Sequence, residues 1–487
     1  MTEPETAPGP GRRAGPGGVP GSGEVTGSAS GEGACSGYAS GEVTGSGSAS
    51  GEVTGSGSAS GEVTGSGFAS GNAAGSGYAS GEGAKPASAP SGRRTELDAI
   101  RILVVIGLVF FHSALVFATD TDFYVENRDT TDAILVIAGF GVVWAMPMLF
   151  FVAGLGSWHS LRRRGPGGFA TERLLRLGVP LLFATAALLP LPQWLRERAA
   201  DRGHDESYLR FLPRFFDVHL DLSAFPFVVQ GEYFETGHLW FVVLLLTFSL
   251  FLVPLARWLP AAHAQRLRDA LARACERRGV VLLPALPLAA MSALSGLEED
   301  YGGWGRWAYL LFFLYGFVVA IDDRLRAAIR RDAAVAAVLG PLLFAACAPG
   351  FMTADDAFTD PTALATVSRA LYGAAGWCWI VGIVGLLDRR DRPPVPPATA
   401  SVGGRRRLFG YLAVGALPLY VLHQPIVVAV AYAVVGLDAP IPVKYVLIVA
   451  ASLSLTLAAY ELLVRRTRLT RFLFGMRASR GPGTAQS

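Results

Sequence analysis

The amino-acid sequence predicts an all-α integral membrane protein, a bundle of about ten transmembrane helices preceded by a disordered N-terminal tail. Three observations carry that prediction. Apolar residues fill 51% of the 487 positions and charged residues only 17%, where soluble domains carry roughly 25% charged residues. Beyond residue 94, apolar stretches long enough to cross a hydrocarbon core of roughly 30 Å recur along the chain. The segments between them alternate between arginine-rich and acid-rich, as the positive-inside rule requires of a multi-pass protein. The net charge of +3 adds little, because in a membrane protein the placement of charge matters more than its sum.

Residues 1–93 are built of Gly, Ser, Ala, Glu and Thr, with decapeptide units running from Ser28 to Ala87. Each unit offers at most one aromatic residue and one Val, too little apolar surface to offset the entropy of ordering the chain. A disordered tail is therefore expected rather than a solenoid. The last residues, 476–487, are expected to be disordered as well, which leaves 94–475 as the membrane domain.

The predicted spans run near 99–118, 133–157, 174–194, 238–256, 279–296, 305–321, 333–350, 367–387, 408–435 and 442–464. Arg93, Arg94 and Arg101 precede or open the first, and Asp120, Asp122, Glu126, Asp129 and Asp132 follow it. Arg162, Arg163, Arg164, Arg173 and Arg176 mark the next connection. Arginines then fill 257–278, 324–331, 389–407 and 465–471, against Glu298, Glu299 and Asp300, then Asp355, Asp356 and Asp360, and finally Asp438. The alternation places both termini in the cytoplasm. Lys85 and Lys444 are the only lysines, and the bias to Arg, Ala, Gly and Pro suggests a GC-rich bacterial genome, so the expected location of this multi-pass chain is a bacterial plasma membrane. The first apolar run begins only near Leu97, so no signal peptide is expected. Cys35, Cys275, Cys347 and Cys378 lack the spacing of a disulfide framework or a zinc site, and no metal, bound cofactor or nucleic-acid partner is expected. The long outer connection, about 193–237, reads either as a functional loop or as a segment resting at the membrane interface.

Ionisable groups inside spans are costly and usually face the bundle interior or a wet cavity. The first span holds two, Arg101 and His112, eleven positions apart. On a helix that spacing returns to within about 20° of the same face with a rise of about 16 Å. Asp98 lies on the same stripe, three residues before Arg101, where the two can pair. The alternative for His112 is a neutral side chain hydrogen-bonded to a neighbouring helix. His423, with Gln424, falls at a depth close to that of His112 in the ninth span, and Pro425 is expected to kink that helix and free a carbonyl. A structural role at the kink is the other reading of His423. His238 begins the fourth span; His204, His219 and His263 are expected in loops, and His159 at the interface.

These residues carry a family resemblance. Leu97-Asp98 with Ile100-Arg101, and His112 beyond, resembles the opening of the membrane-bound acyltransferase 3 family. Met146–Gly154 with Ser157-Trp158, and Phe169, Arg173, Arg176 and Pro180 after them, look like that family's second span and the basic approach to its third. Gly237-His238-Leu239-Trp240-Phe241 and Leu417–Pro425 look like the branch that includes glucan-modifying succinyltransferases. The resemblance covers roughly residues 94–475.

It implies an integral membrane O-acyltransferase that moves an acyl group from cytosolic acyl-CoA, a donor substrate rather than a bound cofactor, to a hydroxyl of a glycan, lipid-linked sugar or glycosylated metabolite. His112, whose ordinary pKa suits proton transfer near neutrality, is the implied catalytic base or acyl carrier. Arg101 is the implied catalytic partner, holding the donor or stabilising charge. Arg173 and Arg176 suit the donor's phosphates, although positive-inside charge alone also explains arginines there. His238, Trp240, His423 and Gln424 are the acceptor-side candidates. A transporter or flippase for a lipid or small molecule is the rival function. It would favour interrupted spans at matching positions of two repeated halves, and no such repeat is visible.

Overall fold

The computed structural model describes residues 95–119, 122–131, 133–201, 205–298, 301, 303–354, 356–388 and 400–476. The repeat tail 1–93 and all but the first residue of the expected C-terminal tail 476–487 lie outside the described residues. So do His204 and several of the loop charges, among them Asp120, Asp132, Glu299, Asp300, Asp355, Arg389, Arg390 and Arg392.

In chain order the helices are α1 (Thr95–Leu115), α2 (Ala133–Arg173), α3 (Val179–Ala187), α4 (Pro190–Ala200), α5 (Tyr208–Phe215), α6 (Trp240–Trp258), α7 (Ala261–Ala274), α8 (Ala285–Ser295), α9 (Arg306–Val319), α10 (Asp323–Thr353), α11 (Ala363–Asp388), α12 (Ala400–Val434), α13 (Ile441–Ala459) and α14 (Arg468–Leu473). Among the described residues, seven helical stretches are long and apolar enough to cross a membrane. One of them, Gly139–Ala200, runs for 62 residues, which at roughly 1.5 Å per residue suffices for two crossings. Gly165, with φ 71°, breaks it. Two shorter apolar stretches, Val280–Ser295 and Arg306–Val319, fall on the remaining predicted spans. The chain is a multi-pass membrane protein whose described residues within the spans are helical.

Several elements differ from the sequence expectation, each for a local reason. The predicted span 174–194 is not one regular helix: a π-helical turn, Leu174–Gly178, leads into α3, and the chain turns again before α4. Pro180 stands in the first turn of α3, and Pro190 opens α4, positions where the missing N–H costs nothing. The span 279–296 begins with a 3-10 turn, Val280–Leu282, because Gly279 is left-handed (φ 80°) and Pro284 precedes α8. The basic connection 257–278 contains α7, so His263 lies on a helix rather than in a loop. Within the connection 193–237, among the described residues, α5 is followed by a two-stranded antiparallel ribbon, β1 (His219–Leu220) with β2 (Val229–Gln230). This connection buries Phe211, Phe215 and Phe227.

Without a hydrophobic drive between helices in lipid, close packing of small residues holds such bundles together. α2 and α9 meet in this way. A Cβ built on Gly154 would fall 2.0 Å from the Phe313 carbonyl oxygen, and one on Gly316 would fall 1.9 Å from that of Phe151. Beside this crossing Phe150 packs against Tyr309 (4.6 Å between ring centroids) and Phe241 (4.7 Å). The crossing fixes the stretch of α2 on which two of the predicted site arginines rest.

Candidate active site

Three histidines from distant parts of the chain meet inside the bundle. His112 sits in the last turn of α1, His238 in the 3-10 turn Gly237–Leu239 that leads into α6, and His423 in α12. The His423 ring is central, its centroid 5.1 Å from that of His112 and 5.1 Å from that of His238. His423 and His238 are buried and His112 is half-buried.

The helix around His423 explains how two of these rings are held. Pro425 has no N–H, so the carbonyl of Val421, four residues earlier, has no helical donor. His238 fills that place, donating through Nε2 to the Val421 oxygen at 3.1 Å. His423 donates through Nδ1 to the Tyr420 carbonyl, and the Tyr420 hydroxyl donates to the carbonyl of His238. A backbone carbonyl only accepts, so each anchored ring nitrogen carries its hydrogen and the other nitrogen of the neutral ring presents a lone pair. Those nitrogens, Nε2 of His423 and Nδ1 of His238, are buried without a hydrogen-bond partner, as is Nδ1 of His112. Three unfilled imidazole nitrogens in one small volume suit proton transfer. Among the described residues no group of three or more His, Cys, Asp or Glu side chains is arranged to hold a metal ion.

A second cluster gathers where α1 and α2 carry their arginines. Arg101 donates to Asp98 Oδ1 at 3.2 Å and to the Val152 carbonyl at 3.3 Å. Arg173 donates to the Ser157 hydroxyl at 3.1 Å and lies 4.9 Å from the centre of the Phe169 ring. Both arginines thus rest on the same stretch of α2, Val152–Ser157. Glu172 ties the group together, accepting from Ser160 at 2.7 Å and pairing with Arg164 at 2.6 Å and Arg176 at 3.4 Å. Arg176 also reaches the Gly475 carbonyl at 3.4 Å. Arg101, Arg164 and Arg176 are all near enough for their charges to act on Arg173. Two carboxylates, Asp98 and Glu172, among the four guanidinium groups of Arg101, Arg164, Arg173 and Arg176 leave a net positive site suited to an anionic ligand.

Two predicted site residues remain, Trp240 and Gln424. Trp240 follows His238 closely in sequence, but its indole packs against Tyr309 (5.2 Å), Tyr301 (5.9 Å) and Phe150 (6.4 Å). Gln424 is buried next to His423 in the chain, with Oε1 lacking a hydrogen-bond partner.

The model of the acyltransferase 3 family, described as an acyltransferase domain, matches residues 94–461, well over half of the chain. The chain belongs to the acyltransferase 3 family. Acyl transfer is therefore its activity, in place of the transporter alternative. No curated protein and no solved structure matches it.

This acyltransferase surrounds its candidate residues with others that the sequence reading did not single out. Phe123, on the segment after α1, stacks on His112 with ring centroids 6.0 Å apart and planes at 19°. No periodicity marks a residue that a connection folds back over a helix end. Tyr420 and Glu172 were more accessible to inference. Tyr420 lies three residues before His423 and Glu172 four before Arg176, the spacings at which helical side chains become neighbours.

Proposed function

We propose that this acyltransferase takes its acyl group from acyl-CoA at the arginine-rich, cytoplasmic end and transfers it to a hydroxyl of a glycan, lipid-linked sugar or glycosylated metabolite. In this reading it works in a bacterial plasma membrane with both termini cytoplasmic. The observation that carries the reading is the His112–His423 pair, two rings 5.1 Å apart, each with an unpartnered buried nitrogen, together with the placing of Arg101 in the basic cluster on the same helix as His112.

The division of labour follows from the separation. Arg101 and His112 stand about 16 Å apart along α1, too far for both to act on one carbonyl. Arg101, Arg173 and Arg176 hold the donor's phosphates, and the flexible thioester arm reaches inward to His112. His112 takes the proton of the acceptor hydroxyl as its oxygen attacks the thioester carbonyl. The C–O bond forms, the C–S bond breaks, and the proton passes to the departing CoA thiolate. His423, fixed in one tautomer by Tyr420, presents its Nε2 lone pair toward this chemistry and supports the charged imidazolium that forms on His112. The glycan acceptor rests on the likeness of Gly237–Phe241 and Leu417–Pro425 to the glucan-modifying branch.

Mass spectrometry of envelope glycans and secreted glycosides from a deletion strain tests this reading. A missing acyl-sized mass increment, restored by the wild-type gene, is the expected result. Identical glycan and glycoside masses with and without the gene would contradict it.

A further inference from the structure

The segment that follows α1 folds back over His112 and is pinned at three points. Arg196 of α4 pairs with Asp122 and also lies 5.8 Å from the centre of the Tyr124 ring. The Tyr124 hydroxyl donates to Glu235 Oε1. Lys444 of α13, buried, donates to Asn127 Oδ1 and to the Val435 carbonyl, both at 2.9 Å. Between the first two pins sits Phe123, the ring that stacks on His112, and it packs edge-on against Tyr124 at 5.6 Å.

The middle pin differs from the others in where it leads. Glu235 lies just before the turn that carries His238, and Gly237 in that turn has φ +44°. A Cβ on Gly237 would stand 2.8 Å from the Tyr124 hydroxyl and 3.4 Å from Glu235 Oε1. The turn is thus shaped around this hydrogen bond. Through it the cover of one histidine is joined to the chain three residues before another.

We propose that Tyr124 and Glu235 are positioning residues for acyl transfer: their hydrogen bond holds Phe123 over His112 and sets His112 in register with His238. The proposal rests on the reading of His112 as the reacting histidine. The bond needs a hydroxyl on one side and a carbonyl-type oxygen on the other, so a Gln at 235 keeps it while a Phe at 124 or an Ala at 235 removes it.

Two measurements on the full-length protein in membranes test this. Diethyl pyrocarbonate labelling, read by mass spectrometry on the His112 peptide, needs no substrate. Tyr124→Phe and Glu235→Ala should each raise the labelling rate by about fivefold, Glu235→Gln should leave it near wild type, and the Tyr124→Phe/Glu235→Ala double variant should match the single ones. Transfer from radiolabelled acetyl-CoA or succinyl-CoA, whichever supports the wild-type rate, should show kcat reduced about tenfold in the two bond-breaking variants with donor KM little changed. Wild-type labelling and kcat in Tyr124→Phe would overturn the proposal. His112→Gln, run in parallel, separates the two ideas. An active His112→Gln overturns the assignment of His112, whereas an inactive one beside a fully active Tyr124→Phe overturns only the positioning pair.

Discussion

His238 donates a hydrogen bond to the carbonyl of Val421, the oxygen that Pro425 leaves without a helical donor. The proline thus provides the anchor that orients a histidine from another part of the chain toward His423. Replacing Pro425 with Ala restores a backbone N–H that competes for Val421. Pro425→Ala should lower transfer about tenfold, roughly the worth of one well-placed hydrogen bond, with an unchanged or higher Tm in detergent. Transfer within about twofold of wild type would show that the His238 anchor is dispensable.

Donor binding is tested at the basic cluster. Arg173→Ala combined with Arg176→Ala removes two of the guanidinium groups around Glu172 while leaving Arg162, Arg163 and Arg164 to maintain the inside charge. Donor KM should rise at least about tenfold with a smaller change in kcat. An unchanged KM in folded protein would mean that the pair serves topology alone.

Orientation is open to direct labelling. Asp122, Arg163, Arg277 and Asp356 are exposed. Single cysteines at Asp122 and Asp356, in a background lacking the native cysteines, should react with an impermeant maleimide in intact cells. Cysteines at Arg163 and Arg277 should react only after permeabilisation. Labelling of both sets in intact cells would contradict the alternating topology.

The spans were legible because a stretch that crosses hydrocarbon must be apolar along its whole length, and nothing else in the sequence is. Irregularities inside them were not. The π-helical turn at Leu174–Gly178 leaves the apolar pattern intact, so composition alone passes over it, whereas the break at Gly165 falls in the arginine-rich connection that the sequence marks between two spans. In the site, the shared depth of His112 and His423 and the carbonyl freed by Pro425 could be read from spacing. That His238 would occupy that carbonyl could not, because it depends on how the turn Gly237–Leu239 packs against α12. Trp240 shows the opposite hazard. Sequence neighbourhood grouped it with His238, yet residues two apart in a helical turn face different sides, and its indole joins the Phe150–Tyr309 aromatic group. Phe123 and Tyr124 had no readable signal at all, since a connection without periodicity is placed only by tertiary contacts.

In the proposed reaction His112 moves the proton, and the substitution His112→Gln probes that role without removing the side chain's bulk. Glutamine keeps much of the volume and hydrogen-bonding capacity of a structural histidine but cannot take a proton near neutrality. The measurement is transfer of a radiolabelled acyl group from acyl-CoA to the native acceptor, in membranes carrying each form at equal abundance, with Tm compared in detergent. Transfer by His112→Gln should fall at least about a hundredfold while Tm stays at the wild-type value. Near-normal transfer by this variant would make His112 a structural residue and leave the proposed reaction without its base.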